Sequence, residues 1–240
     1  MSTTTYLELC QQTQKACGIS GNPVASVTGQ TGMLANLVRW VADADVAIQR
    51  VATNWDFLYK TDFTVDTVQG SSEYTKPLIL GAWDRSTFYV DYTTVNNAKL
   101  VEIPYRAYFN TFANGVQTQN KPTNFVLAPN DNLTVYPVPD AVYALTAHYW
   151  RTALRMTDNS DVSLIPENYI RAIIARAKMY YGIDQEATDV YNEAFAEYER
   201  VLLELKYKSL PGYEFAGIDS DVQMTVSTDG FGADDNGYFY

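Results

Sequence analysis

No stretch of this 240-residue chain approaches the roughly 18 to 20 uninterrupted apolar residues that a membrane helix needs. Met1 to Thr5 lack a basic leader and open into polar, helix-capping sequence, so a soluble, non-exported protein is expected. Without a secretory signal, the sequon Asn132-Leu133-Thr134 carries no glycosylation argument. Cysteine occurs twice. Cys10 and Cys17 read as lying about two turns of roughly 5.4 Å apart on one helix, too far to bridge and too few to hold a metal. They are expected to be small buried hydrophobes in a reducing compartment. Basic charge is also scarce, 17 Lys and Arg against 28 Asp and Glu, for a net charge of -11. That argues against gripping nucleic acid through its phosphates, which requires clustered cations. An acidic surface that DNA merely passes is compatible with this balance, and so is ordinary solubility.

The motifs of catalysis are missing too. There is no Gly-x-x-x-x-Gly-Lys phosphate loop, no Gly-x-Gly-x-x-Gly, no His-Glu-x-x-His and no Gly-x-Ser-x-Gly elbow. The single histidine, His148, alternates with Tyr149 and Trp150 in a strand pattern, which suits a sheet-face residue better than a general base. The Asp/Gly run near the C-terminus is no calcium loop, since aligning Gly237 with the loop glycine puts Gly232 at the first ligand position. A carboxylate pair could hydrolyse glycosides without histidine, which leaves a carboxylate-dependent hydrolase as a remote alternative. No enzyme activity, cofactor or metal is expected.

What is present is a sequence of changing periodicity. Thr5-Tyr6-Leu7-Glu8 has the form of a capping box, after which Tyr6, Leu9, Cys10, Thr13 and Cys17 share a helical face that ends at Gly18. A Gly-rich loop to Gly32 precedes a second helix with the stripe Leu34, Leu37, Val38, Val41, Ala44, Ile48 and Val51; Asp43, Asp45, Gln49 and Arg50 fall off it. The cluster Asn54-Trp55-Asp56-Phe57-Leu58-Tyr59 is expected to plug the core where elements meet. From Thr61 alternation takes over, with strands expected near 61–68, 74–80, 87–92, 98–103, 124–127, 133–136 and 141–149, mostly antiparallel. Pro104 to Phe112 reads as a short helix with Pro104 at its first position. Helical spacing returns at Pro166 with Ile170, Ile173, Ile174, Ala177 and Tyr181, closing at Gly182. Asp184 is placed to cap a last helix that carries Ala187, Val190, Tyr191, Ala194, Tyr198, Val201, Leu202 and Leu205 inward.

The fold class is therefore α+β: a helical bundle from the N- and C-terminal helices with an inserted antiparallel β-rich subdomain and an extended C-terminal arm. The expected division is 1–59 for the N-terminal helices, 60–155 for the insertion, 156–210 for the C-terminal helices and 211–240 for the arm. The arm carries six acidic residues, no basic ones and the aromatics Tyr213, Phe215, Phe231, Tyr238, Phe239 and Tyr240. It cannot build a core of its own, and its rings suit docking on a partner; an exposed tail without a partner is the plainer alternative. Trp83, Phe88, Tyr89 and Tyr92 outnumber what a small sheet needs for its core, so they are expected to be exposed and to face a neighbouring subunit or another partner.

Thr28-Gly29-Gln30-Thr31-Gly32 with Leu34, Val38, Trp40-Val41, Ala44 and Ile48-Gln49, closing on Trp55-Asp56-Phe57-Leu58, resembles phage head-to-tail adaptor (connector) proteins. Leu133-Thr134-Val135-Tyr136-Pro137-Val138-Pro139-Asp140, followed by Tyr143 to Arg151, is similar to that family's strand, Pro-x-Pro turn and strand. Leu164-Ile165-Pro166-Glu167 with Tyr169, Ile174, Ala177 and Tyr180-Tyr181, then Ala187, Tyr191, Ala194, Tyr198 and Leu202, resembles its closing helix pair. The likeness spans roughly residues 5 to 211, and its specificity lies in the order of individually common motifs. The resemblance implies a ring of twelve copies beneath the portal protein, in the neck of the virion, made in the host cytoplasm. It further implies an arm ordered against the portal, a lower face that receives a tail or nozzle protein, and passing genomic DNA without sequence-specific contact or any membrane. A tail-side neck or tail-completion protein is the alternative.

Overall fold

The computed structural model describes residues 3–93, 96–115 and 117–210; the aromatics assigned to the arm lie outside them. Two helices open the chain, α1 (Tyr6–Ala16) and α2 (Gly32–Gln49). Thr5 and Glu8 form the capping box on α1, and Gly18 (φ +66°) turns the chain away beyond its end. A single turn, Asp56–Leu58, leads into β1 (Tyr59–Asp66), then β2 (Glu73–Tyr74), β3 (Leu80–Trp83), β4 (Tyr89–Thr93), β5 (Asn96–Lys99) and β6 (Val101–Glu102). A short helix, α3 (Tyr105–Tyr108), extends as a π-turn over Phe109–Ala113. The strands β7 (Gln119–Asn120), β8 (Asn124–Leu127), β9 (Leu133–Tyr136), β10 (Val138–Pro139) and β11 (Ala144–Arg151) follow. The chain closes with α4 (Ile170–Asp184) and α5 (Thr188–Ser209).

The four long helices share one core, which includes Leu9, Leu37, Val41, Ile48, Ile173, Ala177, Val201 and Leu205. Trp55 and Leu58 plug it as expected, with Trp55 fully buried and stacked on Phe57 at 5.3 Å. The two faces of the β region meet in a second core. One sheet is ordered β1-β11-β4-β5, with β3 on the same edge of β11 as β4; the other is ordered β2-β9-β8-β6. Register along β1 and β11 runs from Tyr59 opposite Trp150 to Asp66 opposite Ala144. Pairing is mainly antiparallel, but two-residue parallel pairs join β6 to β8 and β7 to β10. Between the sheets lie Phe63, Val90, Phe125, Leu133, Val135 and Leu145, with Phe88 stacked on Phe125 at 4.0 Å.

Several expectations fail for identifiable reasons. The strand expected over 74–80 breaks into β2 and β3, because Pro77 has no N–H to pair and Leu78 stands fully exposed between them. Pro104 caps α3 from outside the helix instead of occupying its first turn. Gly182 does not close α4; it lies inside it, where a Cβ would sit 2.9 Å from the backbone nitrogen of Tyr191. Asp184 caps nothing, since α5 starts at Thr188 behind Ala187. Asp45 and Gln49, placed off the apolar stripe, are both buried.

That last departure defines how the halves of the bundle meet. Asp45 accepts hydrogen bonds from Ser163 Oγ at 2.5 Å and Gln49 Nε2 at 2.7 Å. Gln49 also donates to the carbonyl of Leu154 and accepts its N–H, so one amide reads the returning backbone in both directions. Burial pushes the Asp45 carboxyl up to about 6, against the two hydrogen bonds that favour its charged form. A carboxyl raised on folding stabilises the fold fully below its unfolded value, near 3.8, and loses that contribution as pH rises through about 6. The stability of the wild type relative to Asp45→Asn should therefore fall by on the order of 3 kcal/mol between pH 4 and pH 7, as measured by urea unfolding. A flat difference would show that the carboxyl is not buried as described. Gly182→Ala should cost about 1–3 kcal/mol by forcing α4 and α5 apart, read as a lowered melting temperature.

Candidate functional site

The groups that could carry chemistry are engaged in structure. Burial raises the Cys10 thiol to about 12 and the Cys17 thiol to about 11, which leaves both protonated and poor nucleophiles at neutral pH. His148 sits beside Tyr59, whose hydroxyl donates to Asp84 Oδ2 at 2.8 Å and lies 3.0 Å from His148 Nδ1. With its one proton given to Asp84, Tyr59 accepts from Nδ1, which sets the histidine tautomer. Burial works to raise the Asp84 carboxyl, and hydrogen bonds from Ser86 and Tyr59 outweigh it and hold the group below its ordinary value. Burial, aided by Asp84, pushes the Tyr59 phenol up to about 12.

This constellation contains serine, histidine and aspartate in the wrong order for acyl transfer. A serine nucleophile needs histidine to take its proton, whereas Ser86 Oγ donates directly to Asp84 Oδ1 at 2.7 Å. The network joins the turn after β3 to β1 and β11, reinforced by the Asp84 N–H to the His148 carbonyl and the His148 N–H to Thr87 Oγ1. Among the described residues no group of three or more His, Cys, Asp or Glu could hold a metal ion, and no helix is long and apolar enough to cross a membrane.

Surfaces are where the molecule has something left to offer. The aromatics expected on the surface divide sharply. Trp83 and Phe88 are buried at 7% and 1% exposure, so the expectation that they are exposed is corrected. Two facing sheets need more aromatic filling than one, and Trp83 packs on Phe63, Phe88 and Tyr149 while its indole N–H reaches the carbonyl of Asp131. Tyr92 is half-buried, donating to the Pro122 carbonyl with Lys121 over its ring. Tyr89 alone of the four is exposed. Tyr213, Phe215, Phe231, Tyr238, Phe239 and Tyr240 lie outside the described residues.

Sequence reasoning missed other surface groups. Leu78 is fully exposed at the tip of the loop between β2 and β3, beside the half-exposed Ile79. Tyr105 stacks on Phe109 at 6.2 Å, both exposed, over a groove of about 500 Å³ that Tyr108, Pro129 and Thr134 also line. The signal for the loop tip was present in Pro77, which forbids a continuous strand across apolar residues. The Tyr105 and Phe109 pair shows as i, i+4 spacing in a helix too short to bury both.

Phe88→Ala should lower the stability of the isolated subunit by about 3–5 kcal/mol, the cost of emptying a core aromatic site. An unchanged melting temperature, measured by differential scanning calorimetry, would return Phe88 to the surface.

The arrangement is thus a well-tied scaffold with exposed apolar projections, in which Ser86, His148 and Asp84 do not form a nucleophilic triad. No curated protein matches the chain. A family model described as SU10 adaptor protein matches residues 4–211, which takes in both cores and all four long helices. The match covers well over half of the chain, so this protein belongs to the SU10 adaptor protein family, a family of phage head-tail adaptors.

Proposed function

We propose that the protein is the head-to-tail adaptor of a tailed phage, assembled as a ring of twelve copies beneath the portal protein in the neck of the virion. The family match over residues 4–211 is the observation that carries this reading. The physical chemistry supports it: a net charge of -11 keeps a channel lining from holding DNA that must slide past. Tied loops and two cores suit a part that transmits force and catalyses nothing. A head-to-tail ring presents two different faces to its neighbours, and a permanent one buries more than about 2,000 Å² per contact. Tyr89 is the exposed aromatic of the insertion available to such a neighbour or to the tail protein; Tyr92 contributes only its half-buried edge.

The role given to the arm is to engage the portal through Tyr213, Phe215, Phe231, Tyr238, Phe239 and Tyr240. Ordering a peptide on binding costs entropy that is offset only where the partner offers pockets, which restricts ring assembly to the portal. Deleting Gly212 to Tyr240 should leave a folded subunit, since both hydrophobic cores lie within residues 6–205, yet one that no longer joins the portal of its own phage. Native mass spectrometry of full-length and truncated protein, alone and with portal, reads the outcome. Equal portal binding by the truncated subunit would sink the docking-arm idea. A full-length chain that ignores portal and binds tail components would be a tail-completion protein.

A further inference from the structure

The junction between bundle and sheets carries a groove of about 250 Å³ that none of the preceding roles uses. It lies between the last turn of α2 and the end of β11, lined by the apolar Ala52, Leu58 and Ala153 and the polar Gln49, Thr53 and Thr152, and flanked by Arg50 and Arg151. Among the described residues six cations pair with carboxylates, and these two arginines are not among them. The Arg151 Nε–H is buried and meets no hydrogen-bond acceptor among the described residues. Val51 and Leu154, adjacent in the chain to lining residues, keep large apolar surface exposed. Two guanidinium groups without a carboxylate partner, over a floor that is partly apolar, suit a ligand that brings carboxylates and a ring together.

Such a ligand is found in the chain itself. Residues 211–240 hold six of the 28 acidic residues and none of the 17 basic ones. Their first part, Tyr213-Glu214-Phe215 followed by Asp219 and Asp221, brings two rings and three carboxylates together. The place where this segment begins also fits. α5 runs antiparallel to α4, with Tyr191 against Gly182, Glu193 bridged to Lys178 and Glu197 to Arg171. It packs against the Glu167–Tyr169 turn at the start of α4 and runs on past it to Ser209. Ser163, shortly before that turn, is bonded to Asp45, one turn from the end of α2. The segment therefore leaves the bundle at the end where α2 finishes and the groove lies. A rotation about a ring axis moves each copy without lifting it, so with the bundles set along that axis an arm leaving at this level meets the groove of the next copy.

We infer that the junction groove of one copy binds the acidic-aromatic segment Tyr213–Asp221 of the neighbouring copy, with Arg50 and Arg151 receiving its carboxylates. This rests on the ring reading and deepens it: the first part of the arm locks the ring laterally, which moves Tyr213 and Phe215 from the portal contact to the neighbouring copy and leaves Phe231 to Tyr240 for the portal. Duplex DNA offers phosphates to the same guanidinium groups, but its stiff backbone brings no ring for the apolar part of the floor, and the overall charge of -11 opposes it.

The test mixes two half-competent subunits. The donor is the full-length chain carrying Arg50→Glu and Arg151→Glu, labelled with a fluorophore; the acceptor is residues 1–210, which contain both cores. Saturable one-to-one binding by fluorescence anisotropy is expected, weakened at least tenfold by Arg50→Ala with Arg151→Ala in the acceptor, or by Glu214→Gln, Asp219→Asn and Asp221→Asn in the donor. An acceptor with lysine at both arginine positions should bind between these limits, and melting curves of each acceptor keep a folding failure visible. Absence of binding, or affinity indifferent to both sets of substitutions, overturns the inference. Arginine-dependent capture of duplex DNA in place of the donor also overturns it. The adaptor reading falls separately, if the wild type fails to join portal while donor and acceptor still bind.

Discussion

The buried carboxylate of Asp45 fixes how the two ends of this chain fit together. Hydrophobic burial supplies most of the free energy that brings the N-terminal and C-terminal helices together, but it is non-directional and does not choose between neighbouring registers. Asp45 and Gln49 do choose. One holds Ser163 and the other holds both backbone groups of Leu154, so the chain returning from the β region can lie on α2 in only one alignment. A slip would strand a buried carboxylate and an amide, which costs far more than a few displaced methylenes. The start of α1 is tied to the same returning strand, through the Thr5 bridge to Val162 and the Tyr6 N–H to the Asp161 carbonyl.

With that alignment set, β11 joins the two cores. Leu145, Ala147 and Tyr149 alternate into the core between the sheets, while Trp150, one residue on, packs against the bundle. The same strand pairs with β1 along one edge and with β3 and β4 along the other. Movement of the bundle relative to the sheets must therefore bend β11 or break its pairing. Gly81 tightens the corner, because a Cβ there would lie 3.0 Å from the Arg151 backbone. The insertion is thereby anchored to the bundle through a paired strand, and the linker to α4 runs along α2 under the control of Gln49.

Much of this was legible in the sequence, and the exceptions follow a rule. β8 and β9 fall where they were expected, over 124–127 and 133–136, because short runs rich in β-branched and aromatic residues, bounded by Pro and Asn, read as strands. The capping box at Thr5 and the Trp55 plug were equally visible, being local signals read by local interactions. The break at Pro77 was a local signal too, and the other failures in the cores required knowledge of the partner. Asp45 reads as solvent-facing until Ser163, 118 positions away, is known to meet it. Gly182 reads as a terminator until Tyr191 is seen pressed against it, and Phe88 reads as surplus until a second sheet supplies Phe125. The surface showed the same blindness: Arg50 and Arg151 are far apart in sequence, and only the fold brings them to one groove.

The tyrosines show why such a scaffold suits an adaptor. Nineteen of them give the chain rings that fill cores and hydroxyls that need partners. Tyr6 donates to the Val38 carbonyl, Tyr74 to that of Ser71, Tyr92 to that of Pro122, and Tyr143 to Asp140. Each ring is held by packing while its hydroxyl ties down a backbone or a loop, at less entropic cost than a lysine or glutamate would incur. Loops held in this way transmit load in place of yielding to it. A part standing between two other assemblies needs that property more than it needs a reactive site. Leu78 at a loop tip, Tyr89 on a strand and Arg50 at the junction stay exposed, each projecting from an element whose neighbours are already fixed.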